Sequence, residues 1–171
     1  MLGSGIPILL LVASVLQLSA CNTAAQNSNQ VMKHQYYSRT DTTKLSLSNE
    51  EWAEILSPDL YHVAREGGTE RAFTGNMWKD ETQGKYYCAV CGNPLFASTA
   101  KFTSMCGWPS FFEPLQKNNM LYREDLSYGM HRIEVLCARC ESHLGHIFDD
   151  GPEPTGMRYC INAISVDFEP E

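Results

Sequence analysis

Apolar residues follow a helical period in one part of the chain and an alternating period in the next. Ser48 and Glu51 form a capping-box pattern, and the apolar residues behind them recur at helical spacing. Pro58 suits the first turn of a second helix with Ser57 as its cap, and a pair of glycines follows Glu66. The pattern therefore predicts two short helices, one directly after the other.

Extended segments follow these helices. Residues 85–90 are rich in Tyr and Val, and apolar and polar residues alternate through 132–136 and 163–168. Glycine and proline interrupt the chain between these segments, as is typical of turns. The sequence thus predicts a mainly antiparallel β domain with two N-terminal helices.

The first 21 residues have the pattern of an export signal. Residues 6–20 are largely apolar, but a membrane-spanning helix needs ~20 such residues, so the run fits a signal h-region. It ends in the sequence LSAC, which is typical of a bacterial lipoprotein box and would place lipid on Cys21. A plain secretory signal with an incidental cysteine is the alternative.

This interpretation sets the predicted organisation of the chain. Residues 22–46 are polar and are predicted to form a flexible tether, and residues 47–171 form the folded domain. We expect the protein to be exported and to be anchored by its lipid on the periplasmic side of a bacterial membrane.

Composition and charge limit the partners of the domain. Of the 171 residues, 43% are hydrophobic and 19% are charged, which is ordinary for a globular protein. The formal net charge is −7, with no basic stripe. Because phosphate contacts dominate affinity for nucleic acids, we expect no nucleic-acid partner. We also expect a monomer.

Four of the seven cysteines form two CxxC motifs. The first motif is Cys88 with Cys91, and the second is Cys137 with Cys140. Two such pairs far apart in the chain have the spacing of a tetrathiolate zinc site, and four protein ligands make the zinc structural. Disulfides, which export permits, and a redox-active CxxC are the alternatives.

Cys160 is the candidate nucleophile. In a strand through residues 158–162, Arg158, Cys160 and Asn162 share one face. A neighbouring cation lowers the pKa of a thiol, so Arg158 is expected to favour the Cys160 thiolate. The alternative is that Cys160 is a small buried hydrophobic residue.

Two further segments carry candidate chemistry. His143 and His146 can handle protons near neutral pH, but they share one site only if the strand breaks at Gly145. Surface residues or zinc ligands are their alternatives. Trp108 and Phe111 follow Cys106 on a loop rich in Gly and Pro. They are predicted to bind substrate, with a place in the core as the alternative.

Several motifs together resemble one known family. The segments CGWPSFF, HLGHIFDDGP and RYCIN, with both CxxC pairs in register, are similar to the B-type methionine sulfoxide reductases. The segment GTERAFTG at 68–75 looks like the entry segment of that family, and the similarity runs from about residue 47 to 168. One departure is Met105, where the family usually has glycine.

The resemblance implies a fold, an activity and a set of roles. It implies two antiparallel sheets, with the zinc away from the active site, and thiol-dependent reduction of methionine R-sulfoxide. Cys160 would attack sulfur and become a sulfenic acid, and Cys106 would condense with it to a disulfide that a thioredoxin-like protein reduces. The remaining matches are Trp108 on the substrate methyl, His143, His146 and Asn162 on the oxygen, and Arg158 beside the nucleophile.

Two other classes of function compete with this one. A zinc-ribbon module could bind a protein or a nucleic acid without catalysis, although the acidic charge opposes the nucleic acid. A zinc hydrolase or deaminase needs an open coordination position on the metal. Four thiolate ligands occupy every position of a tetrahedral zinc, which argues against this class.

Overall fold

The computed structural model describes residue 1, residues 34–75 and residues 77–171. Helix α1 spans Asn49–Ile55 and helix α2 spans Pro58–Glu66. The Ser48 hydroxyl accepts from the Glu51 backbone N–H, and the Glu51 carboxylate accepts from the Ser48 N–H, which completes the capping box. Gly67 ends α2 in the left-handed conformation. Both predicted helices are confirmed.

Two antiparallel sheets make up the rest of the described chain. The strands are β1 Gly84–Cys88, β2 Pro94–Ala97, β3 Lys101–Phe102, β4 Ser110–Phe111, β5 Met120–Asp125, β6 Arg132–Cys137, β7 His143–Phe148, β8 Arg158–Ile161 and β9 Val166–Pro170. One sheet has the order β2-β1-β9, and the other has the order β3-β4-β8-β7-β6-β5. The mainly β fold with short N-terminal helices is confirmed.

One strand begins later than the alternation predicts. Residues Ala163–Ser165 form a 3-10 turn, and β9 begins only at Val166. The cause lies in the carboxylate of Glu70, which accepts hydrogen bonds from the backbone N–H groups of Ala163 and Ile164. Those two donors are therefore not available to a strand ladder.

The core lies between the two sheets. Phe111 of β4 stacks on Phe96 of β2, with ring centroids 4.1 Å apart and planes 10° from parallel. Tyr86 of β1 meets the same Phe111 ring edge-on at 4.9 Å. Phe111 is fully buried in this contact. The prediction that it binds substrate is corrected, because its ring is packed between the sheets and does not line the site.

The polar segment before α1 also packs on the domain. We call residues 34–47 the N-terminal strap. The Leu45 N–H donates to the Arg139 carbonyl at 2.7 Å, and the Ser38 N–H donates to the Cys91 carbonyl at 2.9 Å. Tyr36 and Leu45 pack against the core cluster. The residues from 34 to 46 were predicted as tether, but they belong to the folded domain. Side chains of the strap add to these backbone contacts, for example the ion pair of Arg39 with Asp167 at 2.6 Å, and composition alone does not reveal such partners.

The predicted signal segment, Cys21 and residues 22–33 lie outside the described residues. Within the described ranges, no helix has the length and apolar character needed to cross a membrane.

Candidate active site and metal centre

The four cysteines of the CxxC motifs meet in one buried cluster. Their Sγ atoms all lie within 4.8 Å of one another. Cys88 is 3.7 Å from Cys140, and Cys91 is 3.6 Å from Cys137, so the closest neighbours come from different motifs. A tetrahedral zinc with Zn–S bonds of about 2.3 Å has sulfur atoms about 3.8 Å apart. The cluster therefore fits a structural metal site.

The two CxxC motifs have the same local structure, but they belong to different sheets. Cys88 and Cys91 lie at the turn between β1 and β2, whereas Cys137 and Cys140 lie at the turn between β6 and β7. In each turn the residue after the second cysteine has a positive φ and donates its N–H to the carbonyl of the first. A bound metal would thus join the three-stranded sheet to the six-stranded sheet.

Burial makes these thiols unsuited to carry charge without a cation. Burial is the main cause that raises the pKa of the Cys88 thiol well above its ordinary value. A divalent metal supplies the positive charge that stabilises four thiolates in such an environment. The amide of Asn93 also donates toward Cys137 Sγ at 3.5 Å.

A second group of polar side chains crosses the six-stranded sheet in one row. Ser110 pairs with Cys160, Cys160 with His146, His146 with Glu134, and Glu134 with Arg123. Directly opposed residues in antiparallel strands share a face, so all five side chains project from one side of the sheet. Cys160 is thus placed between a hydroxyl and an imidazole.

A bulge in β7 brings both histidines to this face. His143 pairs with Leu136 and Gly145 pairs with Val135, so the ladder passes over Leu144. The extra residue turns His143 to the side of His146, and their ring centroids lie 5.3 Å apart. The break predicted at Gly145 is instead a bulge at Leu144, and β7 continues through Gly145. A Cβ there would lie 2.0 Å from the carbonyl oxygen of Cys160, so no larger residue fits.

A cavity of about 120 Å³ opens above Cys160. It is lined by Thr69, Trp108, Arg132, Gly145, His146, Phe148, Cys160 and Asn162. The Asn162 amide donates to the Leu144 carbonyl at 3.1 Å, and its Oδ1 accepts from the Glu70 N–H at the same distance. These two bonds fix the orientation of the buried Asn162 at the wall of the cavity.

Cys106 approaches the cavity from the loop before β4. Its Sγ lies 3.5 Å from the Sγ of Cys160 and 2.8 Å from the hydroxyl of Ser104. The Cys160 thiol, and then the Ser104 and Ser110 hydroxyls, lower the pKa of Cys106 to about 4. Two thiols this close share one negative charge, so the contact with Cys106 raises the pKa of Cys160. Burial of Cys160 raises its pKa further.

The predicted effect of Arg158 on Cys160 has the expected direction, but a neighbour from another segment opposes it. Arg158 was predicted to favour a thiolate on Cys160, and it does act in that direction. Its guanidinium, however, is engaged by both carboxylate oxygens of Asp150 at 2.8 and 2.9 Å, and it lies over the Phe148 ring. The contact with Cys106 opposes Arg158 and is the first cause that raises the pKa of Cys160.

Each histidine is held by its own carboxylate. His143 Nδ1 is 2.7 Å from Glu134 Oε1, and His146 Nε2 is 2.7 Å from Asp125 Oδ2. The hydrogen bond from His143 lowers the pKa of Glu134, while bonds from Ser127, and then from His146, lower the pKa of Asp125. An ionised carboxylate only accepts, so the facing ring nitrogen donates in both pairs. Burial lowers the pKa of His146, which is therefore neutral at pH 7.

Comparison with known proteins decides the family. Residues 56–170 match the family described as the SelR domain. A peptide methionine sulfoxide reductase MsrB of Methanosarcina barkeri is 53% identical over 124 residues, which cover 72% of this chain and 87% of that protein. The MsrB of Azotobacter vinelandii is 53% identical over 127 residues, or 74% of this chain and 96% of the relative. The chain belongs to the B-type methionine sulfoxide reductases.

The MsrB of Thiobacillus denitrificans is similar as well, with 55% identity over 121 residues, covering 71% of this chain and 92% of the relative. All of these alignments span most of the relative's length. The strap residues 34–47 lie outside the part that matches the SelR family.

Most of the residues that the sequence predicted for this reductase site come together in the structure. Cys106, Cys160, Trp108, His146 and Asn162 surround one cavity or touch its lining residues. His143 lies behind His146, and Arg158 flanks Cys160 on the same face of β8. Phe111 is the exception, as described above. Met105 is largely exposed on the loop that carries Cys106.

Four acidic or basic residues of the site were missed: Glu70, Asp125, Arg132 and Glu134. Strand periodicity places Arg132 and Glu134 on one face of β6, but it does not say which strand lies beside them. Glu70 acts through its backbone and through a bond to another backbone segment. No side-chain pattern in the sequence points to such a role.

Proposed function

We propose that this reductase acts on the R epimer of methionine sulfoxide, free or within proteins, with Cys160 and Cys106 as its redox pair. The observation that carries the proposal is the separation of 3.5 Å between the two sulfur atoms beside the cavity. A disulfide needs about 2.05 Å, so a small movement of the Cys106 loop closes it. The cavity offers a flat apolar wall and polar groups next to this pair.

The proposed reaction balances in two steps. The Cys160 sulfur attacks the sulfoxide sulfur, and the thiol proton passes to the oxygen. The resulting hydroxyl moves from the substrate sulfur to the Cys160 sulfur, so the substrate S–O bond and the transient S–S bond break while a Cys160 S–O bond forms. The products are methionine and a Cys160 sulfenic acid. The Cys106 thiol then attacks the sulfenic sulfur, which forms the Cys160–Cys106 disulfide and releases water. A thioredoxin-like dithiol returns both cysteines to thiols and is itself oxidised to a disulfide.

The pair must transfer its charge for the first step. In the free enzyme the thiolate is stabilised on Cys106, while a proton stays on Cys160. Movement of that proton toward the sulfoxide oxygen leaves the nucleophilic sulfur on Cys160. His146 is neutral and can take part as a base and then as an acid. Arg158 favours the negative charge that develops on Cys160.

Specificity for the substrate follows from the shape and polarity of the cavity. Trp108 supplies the apolar wall for the methyl group on sulfur. His146 and Asn162 lie on the polar side, where they orient the oxygen. Because sulfoxide sulfur is pyramidal, only one epimer places methyl on Trp108, oxygen on the polar side and sulfur toward Cys160 together.

The cellular setting is part of the proposal. The short apolar segment and its LSAC ending support export, with Cys21 carrying lipid and holding the enzyme on the periplasmic side of a bacterial membrane. There it would repair oxidised exported proteins, with a structural zinc on the four clustered cysteines.

Mass spectrometry of membrane-extracted protein should find a diacylated or triacylated N-terminus at Cys21. An unlipidated N-terminus at another residue would contradict this.

An assay of the purified protein on the two separate epimers of methionine sulfoxide, with dithiothreitol as reductant, tests the activity. We expect turnover of the R epimer alone. Cys160→Ser is the matched control, because it changes one sulfur to oxygen at the same position and should abolish turnover. Turnover of the S epimer, or activity that survives in Cys160→Ser, would overturn the proposal.

A further inference from the structure

A second cavity, of about 200 Å³, lies beside the catalytic one. Its lining is mainly polar and includes Arg65, Arg123, Glu134, Glu141 and His143. Helix α2 supplies Arg65, whereas β5 and β6 supply Arg123 and Glu134. Among these side chains, only His143 has a role implied by the family resemblance, which places it with His146 and Asn162 on the sulfoxide oxygen.

His143 connects the two cavities. It lines the second cavity, and its ring meets the ring of His146, which lines the first. His143 is 4% exposed. Its Nδ1 faces Glu134, and its Nε2 is buried without a hydrogen-bond partner among the described residues. A buried polar atom without a partner is costly, so a site that keeps one calls for an explanation.

We propose that Glu134 is a positioning residue for the reduction, because its carboxylate holds His143 in the single tautomer that leaves a lone pair on Nε2. This inference rests on the proposed function and adds a residue to it. The atom left free is then an acceptor, ready for a water molecule or for the proton that moves to the sulfoxide oxygen. Without Glu134, either ring nitrogen could carry the proton.

The surroundings of Glu134 suit this role. Glu134 stands directly opposite His146 across the ladder, and Arg123 lies on its other side with 3.8 Å between Arg123 Nη1 and Glu134 Oε2. The other oxygen, Oε1, accepts from His143 at 2.7 Å. The hydrogen bond from His143 lowers the pKa of Glu134, so the carboxylate is ionised at neutral pH and cannot donate. The carboxylate thereby places a proton on Nδ1, and in the neutral ring this leaves the lone pair on Nε2.

The test combines two measurements on the full chain. Two-dimensional NMR of the histidine ring nitrogens reports which nitrogen of His143 carries the proton, with His143→Gln used to assign the signals. Single-turnover reduction of the R sulfoxide, without any reductant, reports the chemical step alone. We compare Glu134→Leu, Glu134→Gln and the control Glu141→Gln, which removes another carboxylate of the second cavity.

We expect Glu134→Leu to lose the fixed Nδ1–H tautomer and to slow the single turnover about 10- to 100-fold, at or below the usual contribution of positioned acid–base groups. Glu134→Gln keeps an acceptor oxygen and should restore most of the rate and the tautomer. Glu141→Gln should match the wild type, because Glu141 pairs with Lys44 and not with a histidine.

Two results would overturn the inference. One is a Glu134→Leu enzyme with an unchanged single-turnover rate. The other is a slow Glu134→Leu enzyme in which His143 still carries its proton on Nδ1, since the loss would then be structural. The tautomer needs no substrate for its measurement. A wild-type enzyme inactive on both epimers would instead overturn the proposed function itself, so the two failures are distinguishable.

Discussion

The indole N–H of Trp108 donates a hydrogen bond to the carbonyl oxygen of Glu70, with 3.2 Å between the heavy atoms. The N–H of the same residue, Glu70, donates to Oδ1 of Asn162 at 3.1 Å. One residue of the segment before β1 thus sets both the apolar wall of the cavity and one of its polar groups. The sequence shows no direct sign of this link, because backbone atoms make it.

Trp108 can contribute in two ways, through apolar contact with the substrate methyl and through its hydrogen bond to Glu70. We expect Trp108→Ala to raise KM, because about 1–3 kcal/mol of apolar contact with the substrate methyl is lost. Trp108→Phe keeps a flat apolar ring but loses the bond to Glu70, so it should fall between Ala and wild type. Steady-state kinetics on the R epimer measure both variants. A KM unchanged in Trp108→Ala would place the methyl pocket elsewhere.

The two redox thiols should differ in when they are needed. Cys106→Ser should release about one methionine per enzyme and then stop as a sulfenic acid in the presence of a thioredoxin system. The reason is that Cys160 alone attacks the sulfoxide, whereas Cys106 supplies the second thiol. Quenched-flow counting of methionine, with a sulfenic acid probe, measures both events.

Dithiothreitol provides the control for that experiment. It is small enough to attack the sulfenic acid directly, so it should restore multiple turnover to Cys106→Ser. Full turnover of this variant with thioredoxin would show that Cys106 is not the resolving thiol. Cys160→Ser should yield no methionine under either condition.

The pH dependence of Cys160 should also change when Cys106 is replaced. In the wild type, the contact with Cys106 is the first cause that raises the pKa of Cys160. Cys106→Ser removes that neighbouring thiolate while Arg158 stays in place. The pKa of Cys160 should therefore fall, and its thiolate should appear at lower pH than in the wild type. Alkylation of the Cys160 peptide as a function of pH, followed by mass spectrometry, measures the shift.

An unchanged or higher midpoint of alkylation in Cys106→Ser would show that the two thiols are not coupled as the geometry indicates. Ser110→Ala is a useful companion variant. It removes a hydroxyl that favours charge on Cys106 and leaves both thiols in place. It should raise the pKa of Cys106 without stopping turnover.

Local signals in the sequence were enough to predict much of this fold. The capping box at Ser48 and the proline at the start of α2 depend on neighbours within a few residues. The paired CxxC motifs predicted the cluster of four cysteines. The alternating segment at residues 132–136 lies within β6, which extends one residue further, to Cys137. Such features need no knowledge of how distant segments pack.

The errors concern contacts between distant segments. The alternation at residues 163–168 gave no sign that Glu70 holds the first two N–H groups away from the ladder. The polar composition of the strap gave no sign that its backbone binds Arg139. In the site, the effect of Arg158 on Cys160 was predicted from one strand, but the opposing effect of Cys106, which lies on another segment, was not. Nearest-neighbour patterns do not contain these relationships.

The last prediction concerns Arg139, which lies within the second CxxC motif and joins the strap to the metal centre. Its guanidinium donates to the carbonyl oxygens of Tyr36 at 3.0 Å and Thr43 at 3.1 Å, and to that of Cys91 in the other motif. It also pairs with Asp41 at 3.0 Å. The Arg139 side chain is only 2% exposed. These bonds hold the strap over both metal-binding turns.

Arg139→Ala should therefore weaken both the fold and the retention of metal. The Cys91 carbonyl is buried, and a buried acceptor that loses its donor costs roughly 1–3 kcal/mol, so a loss of ~2 kcal/mol would lower the Tm by about 4–8 °C. Release of metal to a coloured chelator should become faster, because the strap no longer covers the turns. Thermal unfolding and the time course of the chelator colour measure the two effects on the same metal-loaded protein.

Lys44→Ala is the matched control, since it removes another basic side chain of the strap. Lys44 pairs with Glu141 at 2.6 Å, but its side chain is 64% exposed, and exposed ion pairs contribute little. This variant should keep the wild-type Tm and the wild-type rate of metal release. If Arg139→Ala released its metal no faster than Lys44→Ala, the strap would not protect the metal centre. A lower Tm with unchanged release would limit the role of Arg139 to the stability of the fold.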